Sequence, residues 1–395
     1  MKQQVFEAVA KLQEEISCMT DAIYDHPELG HEEFFAAEQI GNMLVKHGFT
    51  VEKGLGEVPT ALRAVYESGT GGPSVGLLCE MDALANLGHA CGHHLQSGVA
   101  LGAAIALKDT LGGKMPFKLV VYTCPDEEGH ITSGKKELID AGYLRDVDLA
   151  IISHAGAETT TDLRTLAMRS YIVRFYGKGS HAGAHPEQGR SAFDGLQLAF
   201  HGIEFMREHI PASARIHYTI DHAGHTPSNI VPDSAQGQFV LRAMKLGELD
   251  DICERFHKVV KGASLATGTT YEIDEELFYP AKFPIMPLAD CFYDNAEQAG
   301  CQRIDKPRTS VGSTDFSFIM QRVPALGIRI EFAPKGTGAH SREWLECGKQ
   351  PCSRDMIRLG GSTMAGMAYD FITNETLRTE IRQSWQEELA LQGEK

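Results

Sequence analysis

The chain has 395 residues, 43% of them hydrophobic, which is enough apolar material for the cores of two or three domains. Its 37 Lys and Arg against 53 Asp and Glu give a net charge of −16, which argues against nucleic acids and anionic membranes as partners. No basic N-terminal region precedes an apolar stretch, and no apolar run approaches the roughly 20 residues that a bilayer requires. We therefore expect a cytoplasmic protein whose nine cysteines are reduced thiols.

The first part of the chain alternates between helical and strand patterns. Apolar residues at spacings of three and four predict helices, and short apolar runs bounded by turn residues predict strands. The predicted helices are 3–25, 32–47, 98–107 and 135–141, and the predicted strands are 61–66, 74–78, 117–123 and 149–153. This alternation predicts an α/β fold, with a mixed, mostly parallel sheet flanked by helices.

A different pattern begins near residue 167. The elements from there are predicted in the order strand, helix, strand, strand, helix, strand, at 170–176, 192–207, 216–221, 237–243, 248–263 and 269–274. This β-α-β-β-α-β order is that of a ferredoxin-like α+β domain. We therefore predict that residues 167–282 form a domain inserted into another, which consists of residues 1–166 and 283–395.

The α/β pattern resumes after Pro280. It predicts helices at 288–299, 316–321 and 353–373, and a strand at 325–331. The charged tail from Asn374 onward is predicted to be a helix end that frays.

Residues with metal-binding side chains collect at the carboxyl ends of the predicted strands, which is where ligand sites of α/β sheets lie. A single histidine is more often structural than metal-binding, but this concentration favours a metal site. The residues are Asp82 after strand 74–78, Cys91 and His93 in the following loop, Glu127 and Glu128 after strand 117–123, His154 after strand 149–153, and His340 after strand 325–331.

The types of these side chains indicate hydrolytic chemistry. Thiolate and imidazole are typical ligands of Zn²⁺ and similar metals. Five or six ligands exceed one tetrahedral site, so the set predicts two metal ions about 3.5–4 Å apart. Glu127 and Glu128 point to opposite sides of an extended chain, so one can bind a metal ion while the other accepts a proton from a metal-bound water.

Several short motifs extend this pattern over nearly the whole chain, from His26-Pro27-Glu28-Leu29-Gly30 to His340-Ser341. Between these ends lie Met81-Asp82-Ala83-Leu84, His89-Ala90-Cys91-Gly92-His93, Glu127-Glu128-Gly129, Gly179-Ser180-His181-Ala182-Gly183, Asn229-Ile230-Val231-Pro232 and Thr314-Asp315-Phe316. Together they resemble the aminoacylase/glutamate carboxypeptidase family of dinuclear metallopeptidases. The resemblance is strongest to its amidohydrolase subgroup, which includes auxin-conjugate, hippurate and aminobenzoyl-glutamate hydrolases and aminoacylase-1-like dipeptidases.

The resemblance implies a role for each candidate residue of the metal site. Two divalent ions in each protomer, Zn²⁺ or Mn²⁺ with Co²⁺ as a further option, would be bound by Cys91, His93, Glu128, His154 and His340. Cys91 stands where many relatives have a bridging aspartate, so it is expected to bridge the ions. Asp82 would orient a ligand. Glu127 would be the general base that later protonates the leaving amine.

The resemblance also implies that the inserted domain dimerises. Its His181 would reach the site of a partner protomer and polarise the scissile carbonyl, so the enzyme would be a homodimer through residues 167–282. Asn229 and Arg242 would bind the substrate, because a guanidinium fork suits a free α-carboxylate. The backbone at Gly312 and Ser313 would also bind that carboxylate. The expected substrate is a small N-acyl amino acid or a dipeptide.

Two positions depart from the family pattern. His94 stands where asparagine or aspartate is usual, and it could either donate a hydrogen bond to a ligand or alter specificity. Ile131-Thr132-Ser133 replaces a stretch that is commonly rich in glycine. Neither change removes a predicted ligand or the base.

Other functions stay open at this stage. A dipeptidase would use the same chemistry on substrates with an α-amine on the acyl side. A cysteine hydrolase would use Cys91 as nucleophile and His93 as base, an arrangement that the following Glu127-Glu128 pair does not favour. A non-catalytic binding protein is disfavoured because every expected ligand and the base are present.

Overall fold

The computed structural model describes residues 1–128, 133–224, 228–308 and 312–393. The chain forms two compact units. The first consists of Met1–Arg164, Phe283–Val311 and Phe318–Glu388, and the second of Thr165–Lys282, Gly312–Ser317 and Leu389–Lys395. Gly129, Ile131 and Thr132, which belong to two of the motifs above, lie outside the described residues.

Helices and strands account for most of the described chain. The helices are α1 (Lys2–Tyr24), α2 (Phe34–Lys46), α3 (His93–Leu111), α4 (Gly134–Asp140), α5 (Ala192–Arg207), α6 (Leu246–Thr267), α7 (Met286–Ala299), α8 (Ser317–Met320), α9 (Arg342–Glu346), α10 (Pro351–Thr373) and α11 (Glu375–Gln392). The strands are β1 (Thr50–Leu55), β2 (Val58–Ser68), β3 (Ser74–Cys79), β4 (Phe117–Thr123), β5 (Leu149–Gly156), β6 (Thr160–Thr161), β7 (Ala167–Tyr176), β8 (Arg215–His222), β9 (Ser234–Ala243), β10 (Thr270–Tyr279) and β11 (Ala325–Glu331).

The first unit contains a seven-stranded sheet in the order β1-β2-β4-β3-β5-β11-β6. The four central strands β4, β3, β5 and β11 are parallel, and the outer strands pair antiparallel. Every residue of β3 is buried, as expected for a strand covered on both faces. The predicted mixed, mostly parallel sheet is confirmed, and its parallel strands end at one edge.

Small residues allow the helices beside this sheet to pack closely. Helix α3 packs against α1 and α10, and nearly all of its side chains are buried. A Cβ atom on Gly98 would lie 2.9 Å from the Thr20 methyl group, so glycine is needed where α3 crosses α1. Helix α3 begins at His93, five residues before the predicted start, because Gly92 has a left-handed φ of 88° that ends the preceding turn.

The second unit is an antiparallel sheet in the order β10-β7-β9-β8, with α5 and α6 packed against it. Its core contains Phe175, Phe239 and Phe256, which are fully buried. The chain order β7-α5-β8-β9-α6-β10 confirms the predicted ferredoxin-like topology.

The prediction that the C-terminal tail frays is wrong, because the tail forms helix α11. The Asn374 side chain accepts a hydrogen bond from the Leu377 N–H at 3.1 Å, which caps the helix start. Ile381 is fully buried, and the Trp385 indole N–H donates to the Met320 carbonyl at 2.7 Å. These contacts stabilise the helix despite its charged composition. Of the helices in the described ranges, none is both long and apolar enough to span a membrane.

Candidate metal centre

The candidate ligands of the first unit lie where its parallel strands end. Asp82 follows β3, Glu127 and Glu128 follow β4, and His154 lies near the end of β5. The turn before α3 contributes Cys91, and the first residue of α3 is His93. His340 belongs to a loop after β11, and its backbone N–H donates to the Ala90 carbonyl at 3.0 Å. This bond joins a late part of the chain to the Cys91 turn.

Two groups of potential metal ligands share the Cys91 thiol. In the first, ligand atoms of Cys91, His93 and His154 lie within 4.8 Å of one another, with the Cys91 Sγ 3.3 Å from the His154 Nε2. In the second, the same applies to Cys91, Glu128 and His340, and the His340 Nε2 lies 3.0 Å from a Glu128 oxygen. A thiol common to both groups is the arrangement that a bridging ligand requires.

The two adjacent glutamates belong to different groups. Glu128 faces His340, whereas a Glu127 oxygen lies 3.8 Å from the His93 Nε2. Glu127 also forms a third group with His93 and Glu80. Consecutive side chains therefore point to different places, as predicted, although residues 127 and 128 lie in a bend and not in an extended strand.

Asp82 fixes the orientation of His93. One Asp82 oxygen lies 2.9 Å from the His93 Nδ1, and the other accepts the Glu128 backbone N–H at 2.7 Å. Burial alone would raise the pKa of Asp82, but the neighbouring His93 and these hydrogen bonds lower it. The carboxylate thus holds His93 with its Nε2 directed toward the other ligands, the usual arrangement of a histidine that binds metal.

Glu80 was not among the predicted site residues, although it also follows β3 directly. It is buried, and its oxygens lie 2.7 Å from the Lys135 ammonium, 2.7 Å from the Gln96 amide nitrogen and 3.2 Å from the His93 Nε2. Burial alone would raise the pKa of Glu80. The nearby Lys135 and His93 lower this pKa by more than burial raises it, so the carboxylate is charged. A carboxylate next to a buried strand was the available signal for Glu80, whereas no sequence motif marks Lys135.

The donor set fits a divalent metal. Among the described residues, the buried His93 Nε2 and a buried Glu128 oxygen form no hydrogen bond of good geometry, although they lie 3.2 Å from a Glu80 oxygen and 3.0 Å from the His340 Nε2, respectively. Buried polar atoms without partners are costly, so these two atoms are suited to a ligand. One sulfur, three imidazoles and a carboxylate match the preferences of zinc and similar ions.

The protonation of the Cys91 thiol argues against a cysteine nucleophile. Burial raises the pKa of the Cys91 thiol to about 12 and lowers the pKa of His154 to about 3. A protonated thiol is a poor nucleophile, which disfavours a hydrolase with Cys91 as nucleophile and His93 as base.

His94, which differs from the family pattern, makes structural contacts among the described residues. The side chain is fully buried, and its Nε2 lies 3.1 Å from the Gly348 carbonyl oxygen. Its ring also contacts the rings of Tyr24 and His89, each at 5.0 Å between centroids. No contact with a predicted metal ligand is among these interactions.

His181 and Asn229 lie together in the second unit. The backbone of His181 pairs with that of Ile230, and the Asn229 carbonyl accepts the Ala182 N–H at 2.8 Å. Both side chains are exposed. The His181 Nδ1 accepts the Gly183 and Ala184 N–H groups at 3.2 and 3.1 Å, so in the neutral ring the proton is on Nε2. The exposed Nε2 can therefore donate a hydrogen bond.

Arg242, Gly312 and Ser313 lie near the opposite end of the same sheet. The Gly312 carbonyl accepts the Leu166 N–H at 3.0 Å, and the Ser313 hydroxyl donates to the Leu166 carbonyl at 2.9 Å. Arg242 is partly buried, and burial lowers the pKa of its guanidinium. Within the described ranges, its buried Nε has no hydrogen-bond partner and no carboxylate pairs with it. The guanidinium is thus suited to an anion from outside.

The strand register separates these two clusters. Arg242 pairs with Met168, whereas the His181 side lies beyond the Tyr176–Ser234 pair. The eight steps along the strand from Met168 to Tyr176 alone span about 27 Å. A dipeptide extends over about 7 Å. A single small substrate therefore cannot touch His181 and Arg242 of the same chain.

Comparison with known proteins agrees with this geometry. The model of Peptidase family M20/M25/M40 matches residues 81–348. The chain is 36% identical over 305 residues to one of the polypeptides of p-aminobenzoyl-glutamate hydrolase from Escherichia coli (strain K12), covering 71% of this chain and 62% of that polypeptide. It is 30% identical over 403 residues to Xaa-Arg dipeptidase of Mus musculus, covering 98% of this chain and 92% of that protein.

The fold also matches solved structures. A dinuclear metal-binding peptidase of the M20 family from Bacillus subtilis superposes with a TM-score of 0.69 at 16% identity, over 91% of this chain and 99% of that one. The family match covers more than half of the chain and includes all five candidate metal ligands. The chain therefore belongs to Peptidase family M20/M25/M40, a family of metal-dependent hydrolases that act on amide and peptide bonds.

Proposed function

We propose that this protein is a dinuclear amidohydrolase that releases an amino acid with a free carboxylate from its N-acyl or aryl-acyl conjugate. The observation that carries this proposal is that Cys91 belongs to both ligand groups. Its thiolate would bridge two divalent ions, Zn²⁺ or Mn²⁺ with Co²⁺ as a further option. His93 and His154 would complete one site, and Glu128 and His340 the other.

Bound ions would polarise the scissile carbonyl and lower the pKa of a water molecule. Glu127 would accept the proton of the attacking water and deliver it to the leaving amine nitrogen. Its side chain is 26% exposed and lies 3.8 Å from the His93 Nε2, so it can face both the centre and the substrate. Asp82 would hold His93 in orientation throughout.

Residues of the second unit would bind the substrate. Arg242 would pair with the free carboxylate, assisted by the backbone at Gly312 and Ser313. Asn229, which lies beside His181, would contact the substrate together with His181. His181 would donate its Nε2 proton to the developing oxyanion. Because His181 and Arg242 cannot reach one small substrate from the same chain, we propose that His181 acts on the substrate of a partner protomer.

A homodimer through residues 167–282 would supply that partner, and residues 1–166 and 283–395 would form the catalytic domain. Two features support the dimer. Among the described residues, strand β8 is an edge strand that pairs with β9 alone, so one row of its backbone groups can pair with a second copy. Beside it, α5 exposes Leu198 by 40% and Phe205 by 73%, and β8 itself exposes Ile220 by 52%. We also propose a cytoplasmic location.

The names of the relatives leave two substrate classes open. One relative is a polypeptide of a p-aminobenzoyl-glutamate hydrolase and another is a dipeptidase. We favour N-acyl amino acids and keep dipeptides and aminobenzoyl-glutamate-like compounds as the alternative. Purified enzyme loaded with Zn²⁺, Mn²⁺ or Co²⁺ should be assayed with N-acetyl amino acids, aryl-acyl amino acids and free dipeptides. A preference for free dipeptides would reverse this order, and no hydrolysis of either class would reject the proposal.

The carboxylate role of Arg242 is tested by Arg242→Ala. We expect KM for substrates with a free carboxylate to rise about 10- to 100-fold, since a charge-assisted pair contributes about 1.5–3 kcal/mol. The matched substrate is the same conjugate with its carboxylate amidated, for which the two enzymes should have similar kcat/KM. An unchanged KM for the free acid would remove Arg242 from the substrate site.

A further inference from the structure

The segment Glu28–Glu33 has no chemical role in the function proposed above, although it lies directly against the turn that carries Glu127. Glu33 is fully buried. One of its carboxylate oxygens accepts the backbone N–H of Asp126 at 2.9 Å, and the other accepts the Thr60 hydroxyl at 2.9 Å. A buried carboxylate thus binds the peptide group between Pro125 and Asp126, one residue before Glu127.

Gly30 also packs tightly against Asp126. A Cβ atom on Gly30 would lie 2.8 Å from the Asp126 Cγ and 3.0 Å from its Cα, so no larger residue fits without displacing Asp126. Gly30 has an ordinary backbone conformation, and its role is therefore to leave space. The Asp126 carboxylate, which is fully buried, also lies 3.2 Å from the His31 Nε2.

Asp126 has an unusual backbone conformation. Its φ is 56°, in the left-handed region that residues other than glycine rarely adopt, and the φ of His31 is 63°. Such conformations persist only where surrounding contacts hold them. Here Glu33 and His31 contact Asp126, and the absence of a side chain on Gly30 leaves room for the Asp126 carboxylate.

The left-handed residue determines where the next two side chains point. Strand β4 ends at Thr123, and the Cys124 N–H still bonds to the Cys79 carbonyl at 2.8 Å. The chain then turns at Asp126, after which Glu127 faces His93 and Glu128 faces His340. The segment Glu28–Glu33 also contacts the turn that contains Asp82, because the Glu28 carbonyl accepts the Ala83 N–H at 2.8 Å.

We propose that Glu33, Asp126 and Gly30 are positioning residues that hold Glu127 at the reacting centre. This inference rests on the proposed role of Glu127 as general base. Displacing a catalytic group by about 1 Å can lower the rate about 100-fold. Loss of the Glu33 contact should therefore lower kcat without removing a ligand or a substrate contact.

The first test compares Glu33→Ala with Glu33→Gln. The glutamine oxygen can still accept the Asp126 N–H while its amide donates to Thr60, so Glu33→Gln should keep kcat within about threefold. Glu33→Ala should lower kcat about 10- to 100-fold. The metal content of each chain and KM should stay within about twofold of wild type in both variants, and thermal unfolding would verify that each protein is folded.

The second test leaves Glu33 unchanged and alters the contact between Gly30 and Asp126 instead. Gly30→Ala should lower kcat about 10- to 100-fold in the wild-type background, because its new methyl group displaces the Asp126 side chain. In an Asp126→Gly background, that carboxylate is absent and glycine accepts the left-handed φ. There, Gly30→Ala should change kcat less than about threefold, so the two substitutions should be strongly non-additive.

The results separate this inference from the proposed function. Wild-type kcat in both Glu33→Ala and Gly30→Ala would overturn the positioning role, as would equal losses for Gly30→Ala in the two backgrounds. Loss of metal together with kcat would also overturn it, since the segment would then support the ligands instead. If Glu127→Gln itself retained turnover, the base assignment would fail independently.

Discussion

At the scale of single residues, the neighbouring glutamates illustrate how environment divides two roles. Glu128 is 10% exposed, lies 3.0 Å from the His340 Nε2, and has its backbone N–H bound by Asp82 at 2.7 Å. Glu127 is more exposed, at 26%, and one of its oxygens lies 3.8 Å from the His93 Nε2. A ligand needs fixed geometry, whereas a base needs access to water and substrate. The surroundings therefore favour Glu128 as the ligand and Glu127 as the base.

These different roles predict different defects when each glutamate is replaced by glutamine. Glu127→Gln should retain metal but lose about 10²- to 10⁴-fold in kcat, because the amide cannot accept the proton. Glu128→Gln should instead bind less metal per chain. Steady-state kinetics and elemental analysis of both variants would check this. Substantial turnover by metal-loaded Glu127→Gln would reject its role as the base.

His94 should contribute to stability and not to turnover. Its Nε2 lies 3.1 Å from the Gly348 carbonyl, and that carbonyl would lose its partner in His94→Phe. We expect a loss of about 1–3 kcal/mol in the free energy of unfolding. Urea denaturation of chelator-treated proteins would measure it. A large change in substrate preference with unchanged stability would instead indicate a specificity role.

At the scale of elements, the candidate metal ligands lie close together because they are at the ends of neighbouring strands and at the start of a helix. The parallel strands β4, β3 and β5 end at one edge, and α3 begins there with a metal-ligand candidate as its first residue. In the second unit, α5 lies beside β8, with the Phe200 and Tyr218 rings stacked at 4.4 Å. These two elements form a surface whose apolar residues stay exposed in one chain.

If this surface forms the dimer, Phe205→Glu should dissociate it, since a charge would be buried without a partner. The mass of the protein in solution, measured by light scattering at several concentrations, should shift toward that of the monomer. Leu265→Glu is the matched control, because Leu265 is 74% exposed on α6. A dimer that survives Phe205→Glu, or one disrupted equally by Leu265→Glu, would contradict this interface.

At the scale of the whole molecule, the separation of His181 from Arg242 supports the proposal that a second protomer completes the substrate site. Arg242 lies near one end of the β7–β9 ladder, whereas His181 lies beyond its other end. Neither side chain can approach the other without breaking that sheet. The complete substrate site is therefore a property of the proposed assembly.

Mixing of protomers tests this requirement. Glu127→Gln and His181→Ala homodimers should each be nearly inactive, but a mixed dimer would contain one site with both native residues. With random exchange, about half of the dimers are mixed, so activity should recover to about a quarter of wild type. Exchange could be driven by mild denaturation and renaturation of the two variants together. Absence of recovery in verified mixed dimers would show that His181 acts within its own chain.

Local sequence patterns were sufficient to predict most strands of both sheets and the members of the two ligand groups that share Cys91. Apolar periodicity reports burial directly, and helix α5 has the bounds that its pattern predicts. Metal-binding side chains after buried strands could be predicted to converge, because parallel strands end at one edge. Helix α11 was missed, since its stability comes from Ile381 and Trp385 packing against distant parts of the chain.

Distances between residues remote in sequence could be known only once the chain was folded. The pairing of Glu80 with Lys135, the contact of Gly30 with Asp126 and the separation of His181 from Arg242 have no local signature. Composition and periodicity describe which face of an element is buried, whereas these features depend on which elements become neighbours and in what register. Packing and strand pairing determine that, because they act between segments far apart in the chain.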